Sequence, residues 1–372
     1  MKDEIDKVKN DPNCSPELKA LMESSFQPAP NGVENLFSIT LDKRTARCPF
    51  LTDDKFCRIQ RELGAEYLSI VCSVYPRDYI ITDNECYRYC HMSCPAVMNK
   101  LLNDEKSADL VNAPVKQQER VIRGTPLMTD SRDLDKHPEL KYRGELLELF
   151  YEIISDKKHS VETNIVLGAL AAQTLSKVVE SGAHERLPEV IKQVRDQIHD
   201  GANLKSVENI KPNYALKLAV AGKFLKQLSN FNLLVALTDS TGTLNIDLYN
   251  QGECTLAKTY KDKPWYLRNI ALNLLLELGV PLKPNTKTIF ENYAIYAMSF
   301  ALIKLTAVSA AELGTRADER GIQNRGTDAL LTKSAAIIIR SVSHNSKKIY
   351  ELLDSLKKEK MFSPAYLALF VK

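Results

Sequence analysis

IFENYAIYAMSFALIKLTAVSAAEL, residues 289–313, decides the architecture. The run is long and apolar enough to cross a bilayer, but Lys304 stands near its middle among small and polar residues, which predicts a buried core helix rather than a membrane span. On either side of it apolar residues recur at helical spacing. The examples are ELLELFYEII (145–154), NIVLGALAAQTLSKVV (164–179), LPEVIKQVRDQI (187–198), YALKLAVAGKFLKQL (214–228), WYLRNIALNLLLEL (265–278), DALLTKSAAIIIRSV (328–342) and KKIYELLDSL (347–356). The fold class is therefore mainly α, with a multi-helix domain over 141–372.

Towards the N-terminus the character changes. Residues 1–110 are broken by prolines and read as a small cysteine-rich α+β region, with strand-like LFSITLD (36–42) and YIIT (79–82) beside a helical RIQRELGAEYL (58–68). A polar connection, 111–140, follows, with a strand expected at RVIRG (120–124). Pro95 suits the first turn of a helix running through AVMNKLL.

Composition excludes several classes. With 372 residues, 44% hydrophobic, the chain can bury a sizeable core. Its 50 basic and 47 acidic residues leave no excess to hold a polyanion, so no nucleic-acid partner is expected. The opening MKDEIDKVKNDPN is charged and lacks an apolar signal core, which predicts a cytoplasmic location. Only 14 glycines are present, and none forms GxGxxG, GxxxxGK[ST] or GxSxG; HExxH is absent too. Dinucleotide-binding, P-loop, serine-hydrolase and zincin readings fall away.

Seven of the eight cysteines lie between Cys14 and Cys94. In a reducing compartment such clustering points to metal ligation or redox chemistry rather than disulfides. The paired CxxC knuckles of a zinc ribbon are missing, which argues against a standard structural zinc site, and thiolates are soft ligands suited to zinc or to an iron–sulfur cluster. On a helix, Cys86, Cys90 and Cys94 would line one face, with the outer pair about 12 Å apart, too far to share one mononuclear metal. Cys14 and Cys254 are read as bystanders, and His91 as a surface residue rather than a ligand. In Tyr75-Pro76-Arg77 the proline sets the backbone and the arginine offers a planar fork to a carboxylate or phosphate, or else makes an ordinary ion pair.

RCPFLTDDKFCRIQRELGAEYLSIVCSVYPR (47–77) and SCPAVMNKLL (93–102) resemble the flagellin lysine N-methylase family, with its cysteine-rich zinc- or iron-chelating domain. IFENYAIYAMSFALIKL (289–305) and the final FSPAYLALFVK (362–372) extend the likeness. The resemblance implies an S-adenosylmethionine-dependent methyltransferase that modifies lysine ε-amino groups of flagellin with the help of a [4Fe–4S] cluster, zinc being the alternative metal. It assigns Cys48, Cys57, Cys72 and Cys94 as metal ligands; Cys86 and Cys90 match no family position and are held as reserve ligands. Family members usually open with a further CxxxCxxxCC segment, and MKDEIDKVKNDPN resembles sequence that follows it, so the expectation is either a truncated start or a shortened relative in which Cys86 and Cys90 compensate.

Methyl transfer to lysine needs the neutral amine, whereas an exposed lysine has a pKa near ~10.4. Tyr75, Tyr87 and Tyr89 neighbour the cysteines, but none is assigned as a base. Arg77 is assigned to a carboxylate of the cofactor. Four cysteine ligands would close a cluster, and three would leave an iron open. The alternatives are a non-catalytic iron- or zinc-binding module with a helical protein-interaction domain, and a cluster-dependent redox enzyme. The basic C-terminal end, with Lys347, Lys348, Lys357, Lys358 and Lys360, is read first as a solvated helix face and second as a contact for an acidic protein surface or for peripheral membrane association.

Overall fold

A computed structural model describes residues 2–28, 37–45, 47–81, 86–112, 137–227, 231–241, 243–282, 288–319, 326–343 and 346–372. The strand expected at 120–124, and most of the connection around it, lie outside the described residues. The described residues form two compact units that divide between Tyr75 and Pro76, inside the cysteine-rich region.

The first unit holds helices α1 (Lys2–Lys9), α2 (Pro16–Ser25), α3 (Arg58–Leu63) and α4 (Ile70–Val74) and a two-stranded antiparallel ribbon of β1 (Phe26–Pro28) and β2 (Phe37–Ile39). Ser15 starts α2 as its N-cap, its hydroxyl accepting from the Leu18 amide at 3.1 Å, with Pro16 in the first turn. The same hydroxyl donates to Glu62 at 2.7 Å and so ties α2 to α3. Val8, Cys14, Leu18, Met22, Phe50 and Ile59 are buried together. A core this small supplies little stability by itself.

The second unit begins with a hairpin of β3 (Arg77–Ile81) and β4 (Cys86–Cys90), then helix α5 (Pro95–Asn103). The helices α6 (Arg143–Ser155), α7 (Val161–Glu180), α8 (Leu187–His199), α9 (Leu204–Glu208), α10 (Tyr214–Gln227), α11 (Ile246–Thr259) and α12 (Tyr266–Glu277) follow. After them come α13 (Ile289–Glu319), α14 (Thr327–Ser343), α15 (Ser346–Lys358) and α16 (Pro364–Val371). The mainly α class is thus observed.

Helix α13 is the axis of this unit, packed against α7, α11, α12, α14 and α16. Among the described residues it is the one helix long and apolar enough to cross a membrane, and 94% of its most apolar window is buried inside the protein. Two close approaches bring its neighbours in. Tyr293 lies over Gly168 of α7 and donates to the Ile165 carbonyl at 3.0 Å, while Gly252 of α11 meets the Val308 carbonyl. A side chain at either glycine would collide with α13.

Candidate functional site

The first unit gathers three of the four cysteines assigned as ligands. Cys48 and Cys57 pack against the small core, and Cys72 is exposed on α4. The Cys48 thiol is pushed up, chiefly by burial and further by the neighbouring Cys72 and Cys57, while the amides of Phe50 and Leu51 pull the other way. Amides directed at a sulfur are what a ligating thiolate requires. Cys14 is buried in the core and its thiol is raised by burial, as expected of an inert cysteine.

The second unit holds Cys86, Cys90 and Cys94, and their backbone is not one helix. Cys86 and Cys90 end strand β4, paired with Ile81 and Arg77 of β3, and the helix starts only after Cys94, its N-cap residue. Four residues along a strand span about 13 Å, so Cys86 and Cys90 share a face without sharing an ion. Cys90 is raised by burial, and Cys94 lies near enough to add to this. Arg77 is exposed, directly across the ribbon from Cys90. Among the described residues no group of three His, Cys, Asp or Glu is arranged to hold a metal ion. The thiols have the chemistry that zinc or an iron–sulfur cluster takes.

His91 is not the surface residue its sequence context suggested. Its ring lies between Glu277 of α12, at 3.0 Å from Nδ1, and Asp78 of β3, at 3.2 Å from Nε2. Tyr89 donates to the same Asp78 at 3.2 Å, and Glu277 accepts from the Met92 amide at 3.1 Å. Burial lowers the imidazole pKa, but the two carboxylates outweigh it and push it up to about 9. Sequence could not reveal this, because Glu277 is 186 residues away. Tyr87 packs with Ile80, Leu147 and Leu276, and the Tyr89 hydroxyl is engaged with Asp78.

A second polar constellation was not foreseen. Lys217, on the inward face of α10, is 2% exposed, and its Nζ donates to the Tyr249 hydroxyl at 3.3 Å. Tyr249 donates in turn to Glu253, one turn further along α11, at 3.2 Å. Glu253 pairs with Lys304 of α13 at 3.5 Å, and Lys304 with Glu162 at the start of α7 at 2.8 Å. Beside Glu162, Thr163 accepts from Lys372 at 2.7 Å. Burial first, and Lys304 second, push Lys217 down to about 7 against the pull of Glu253 and Glu162. Burial also disfavours the Lys304 ammonium, yet Glu162 and Glu253 raise its pKa on balance. The row opens outward at Glu253, whose side chain is 36% exposed. The sequence signal was a lysine in register with the apolar face, Lys217 preceding Ala221 and Phe224.

Helices α6 to α16 coincide with a family match: residues 148–370 match the FliB lysine N-methylase C-terminal domain. The chain belongs to the FliB lysine N-methylase family. The match lies over the helical domain, not over the cysteine segment. The lysine-N-methylases of Salmonella typhimurium and Salmonella choleraesuis are each 26% identical to this family member over 299 residues, 74% of this chain and 71% of theirs. The flagellar biosynthetic protein FliU of Salmonella muenchen is 39% identical over 66 residues, 18% of this chain and 39% of FliU. No solved structure matches the chain.

At the basic C-terminal end, Lys347 and Lys348 lie outside the described side chains, Lys357 pairs with Glu291, and Lys358 and Lys360 are exposed.

Proposed function

We propose that the chain is a protein-lysine N-methylase that takes its methyl group from S-adenosylmethionine and acts on flagellin. The observation that carries this reading is the match to the lysine N-methylase C-terminal domain over 148–370, which spans the helices bearing the Lys217, Tyr249 and Glu253 row. The names of the lysine-N-methylase and FliU relatives support lysine as the modified side chain and a flagellar protein as the partner. Bound S-adenosylmethionine supplies an electrophilic methyl on a sulfonium.

The chain's own task is to receive a lysine ammonium and remove its proton. Glu253 offers a partly exposed carboxylate that attracts a cation, and Tyr249 links it to the interior. Arg77, exposed on β3, is the proposed partner of a cofactor carboxylate, which its fork can grip at both oxygens. Cys48, Cys57, Cys72 and Cys94 are the proposed ligands of a [4Fe–4S] cluster, with zinc as the alternative metal and Cys86 and Cys90 in reserve. The directed amides at Cys48 support the first of these; no proton step depends on the metal. The proposed location is the cytoplasm, with peripheral membrane contact through exposed lysines such as Lys358 and Lys360.

The test is to purify the chain anaerobically, supply methyl-labelled S-adenosylmethionine and flagellin, and map the label. Methylated lysines support the reading. A chain that holds metal and transfers no methyl is a binding module instead.

A further inference from the structure

We propose that Lys217 is the proton acceptor at the inner end of a relay, Glu253 to Tyr249 to Lys217, which takes the proton that a lysine ammonium must lose before it is methylated. This rests on the lysine-methylase reading above and deepens it by assigning the residues that prepare the substrate amine.

The geometry is a continuous row from solvent to core. Glu253 is the outer member, with its side chain 36% exposed. The Tyr249 hydroxyl touches both neighbours, at 3.2 Å to Glu253 and 3.3 Å to Lys217, and is itself buried. Lys217 is 2% exposed, so the row ends there. A lysine buried in a helical core costs several kcal/mol if charged, about the scale of any unpaired buried ion, and an apolar residue would pack there without that cost. Its presence needs a reason.

The charged and titratable groups facing it supply one. Lys304 from α13 repels a proton on Lys217, Glu162 from α7 and Glu253 from α11 attract one, and Tyr249 bonds it; the ring of Tyr214, on its own helix α10, lies tilted against Tyr249 with centroids 5.1 Å apart. The outcome is an amine poised near neutrality, pushed down to about 7, which binds and releases a proton within the working range of an enzyme. A carboxylate alone is too weak a base for an ammonium near ~10.4. An amine behind it holds the proton long enough for attack.

The proton count closes. The substrate ammonium gives its proton to a Glu253 oxygen. The Tyr249 hydroxyl turns about its C–O bond, passes its own proton to the Lys217 lone pair and takes the one from Glu253. The substrate is now a neutral amine and Lys217 an ammonium. The amine lone pair attacks the methyl of the sulfonium donor, the C–S bond breaks with its electrons left on sulfur, and a methylated ammonium and a thioether result. Lys304 favours return of the Lys217 proton to solvent by the same row.

The test uses the whole chain with its lysines labelled at Cε. Lys217 is identified by the signal missing from Lys217→Met, and a lysine-containing flagellin peptide is added without methyl donor. The expected result is that peptide binding shifts Lys217 towards its charged position, and that Tyr249→Phe abolishes the shift while still binding peptide. An unmoved Lys217 signal with peptide bound, or a shift that persists in Tyr249→Phe, overturns the proposal. Peptide that does not bind overturns the substrate reading and the relay with it. In the methyl-transfer assay, Lys217→Met and Tyr249→Phe should lose about a hundredfold in kcat/KM near neutral pH. That loss should shrink about tenfold per pH unit, as the substrate amine deprotonates itself. An equal loss at every pH marks a structural role and overturns the relay; wild-type chain that transfers no methyl overturns the function instead.

Discussion

His91 and Glu277 meet at 3.0 Å across 186 residues of sequence, joining the end of the β3–β4 hairpin to the last turn of α12. With Asp78 on its other nitrogen, the imidazole is held between two carboxylates, and the Glu277 side chain is fully buried. The hairpin that carries Arg77, Cys86 and Cys90 is anchored to α12 by this ring and by Asn273, which donates to the Cys90 carbonyl at 2.9 Å, with Ile80 packed against Leu147 and Leu276.

His91→Ala should lower stability by about 2–3 kcal/mol at neutral pH, because it strips a charged partner from a buried carboxylate. The pH dependence has a sign. The imidazole pKa is raised in the folded chain, to about 9, so its contribution is full below the unfolded value near ~6.5 and is lost as pH rises through 9. Asp78, lowered by His91 despite burial, contributes above the ordinary aspartate range and loses that contribution in acid. Urea unfolding of wild type and His91→Ala should therefore converge above pH 9 and differ most between about pH 5 and 7.

Gly252→Ala should be costly for its size. The added Cβ would stand 2.6 Å from the Val308 carbonyl and 2.9 Å from the Val308 side chain, so α11 must move off α13. About 1–3 kcal/mol of stability should be lost in thermal unfolding. Because Tyr249 and Glu253 ride on the same helix, the variant should also weaken their link to Lys217, seen as a change in the Lys217 titration.

Lys304→Met leaves Glu162 as a largely buried carboxylate, 14% exposed, without its 2.8 Å partner and should cost about 3 kcal/mol. Adding Glu162→Leu should recover much of that loss, since replacing both members of a buried pair removes the unmet charge. Additive losses in the double variant would mean that the pair is not coupled.

The cysteine assignments separate by metal analysis. Anaerobically reconstituted chain should hold the iron and sulfide of one [4Fe–4S] cluster, and Cys48→Ser, Cys57→Ser or Cys72→Ser should each deplete it. Cys14→Ser and Cys254→Ser should not. Cys94→Ser distinguishes four ligands from three: depletion means a closed cluster, retention an open iron.

How much of this was legible in the sequence follows the range of the forces involved. The helices were readable because their apolar residues repeat locally, and Lys304 within 289–313 correctly argued for burial in protein. The aromatic alternation of CYRYC is a strand signal, yet the cysteines at both ends also fit the i, i+4 spacing of a helix, and the strand is what forms. His91 and Lys217 were hidden for another reason. Their partners, Glu277 and Tyr249, sit on other helices, and a single sequence contains no term for such pairs. Of the four assigned ligands, the three in the first unit, Cys48, Cys57 and Cys72, are neighbours.

The central claim is methyl transfer to lysine, and the most direct measurement is mass spectrometry of flagellin after incubation with the anaerobically reconstituted chain and methyl-labelled S-adenosylmethionine. The account predicts label on lysine ε-amino groups, reduced about a hundredfold by Tyr249→Phe near neutral pH. Flagellin recovered without labelled lysine, from wild-type chain shown to bind both the cofactor and flagellin, would contradict it.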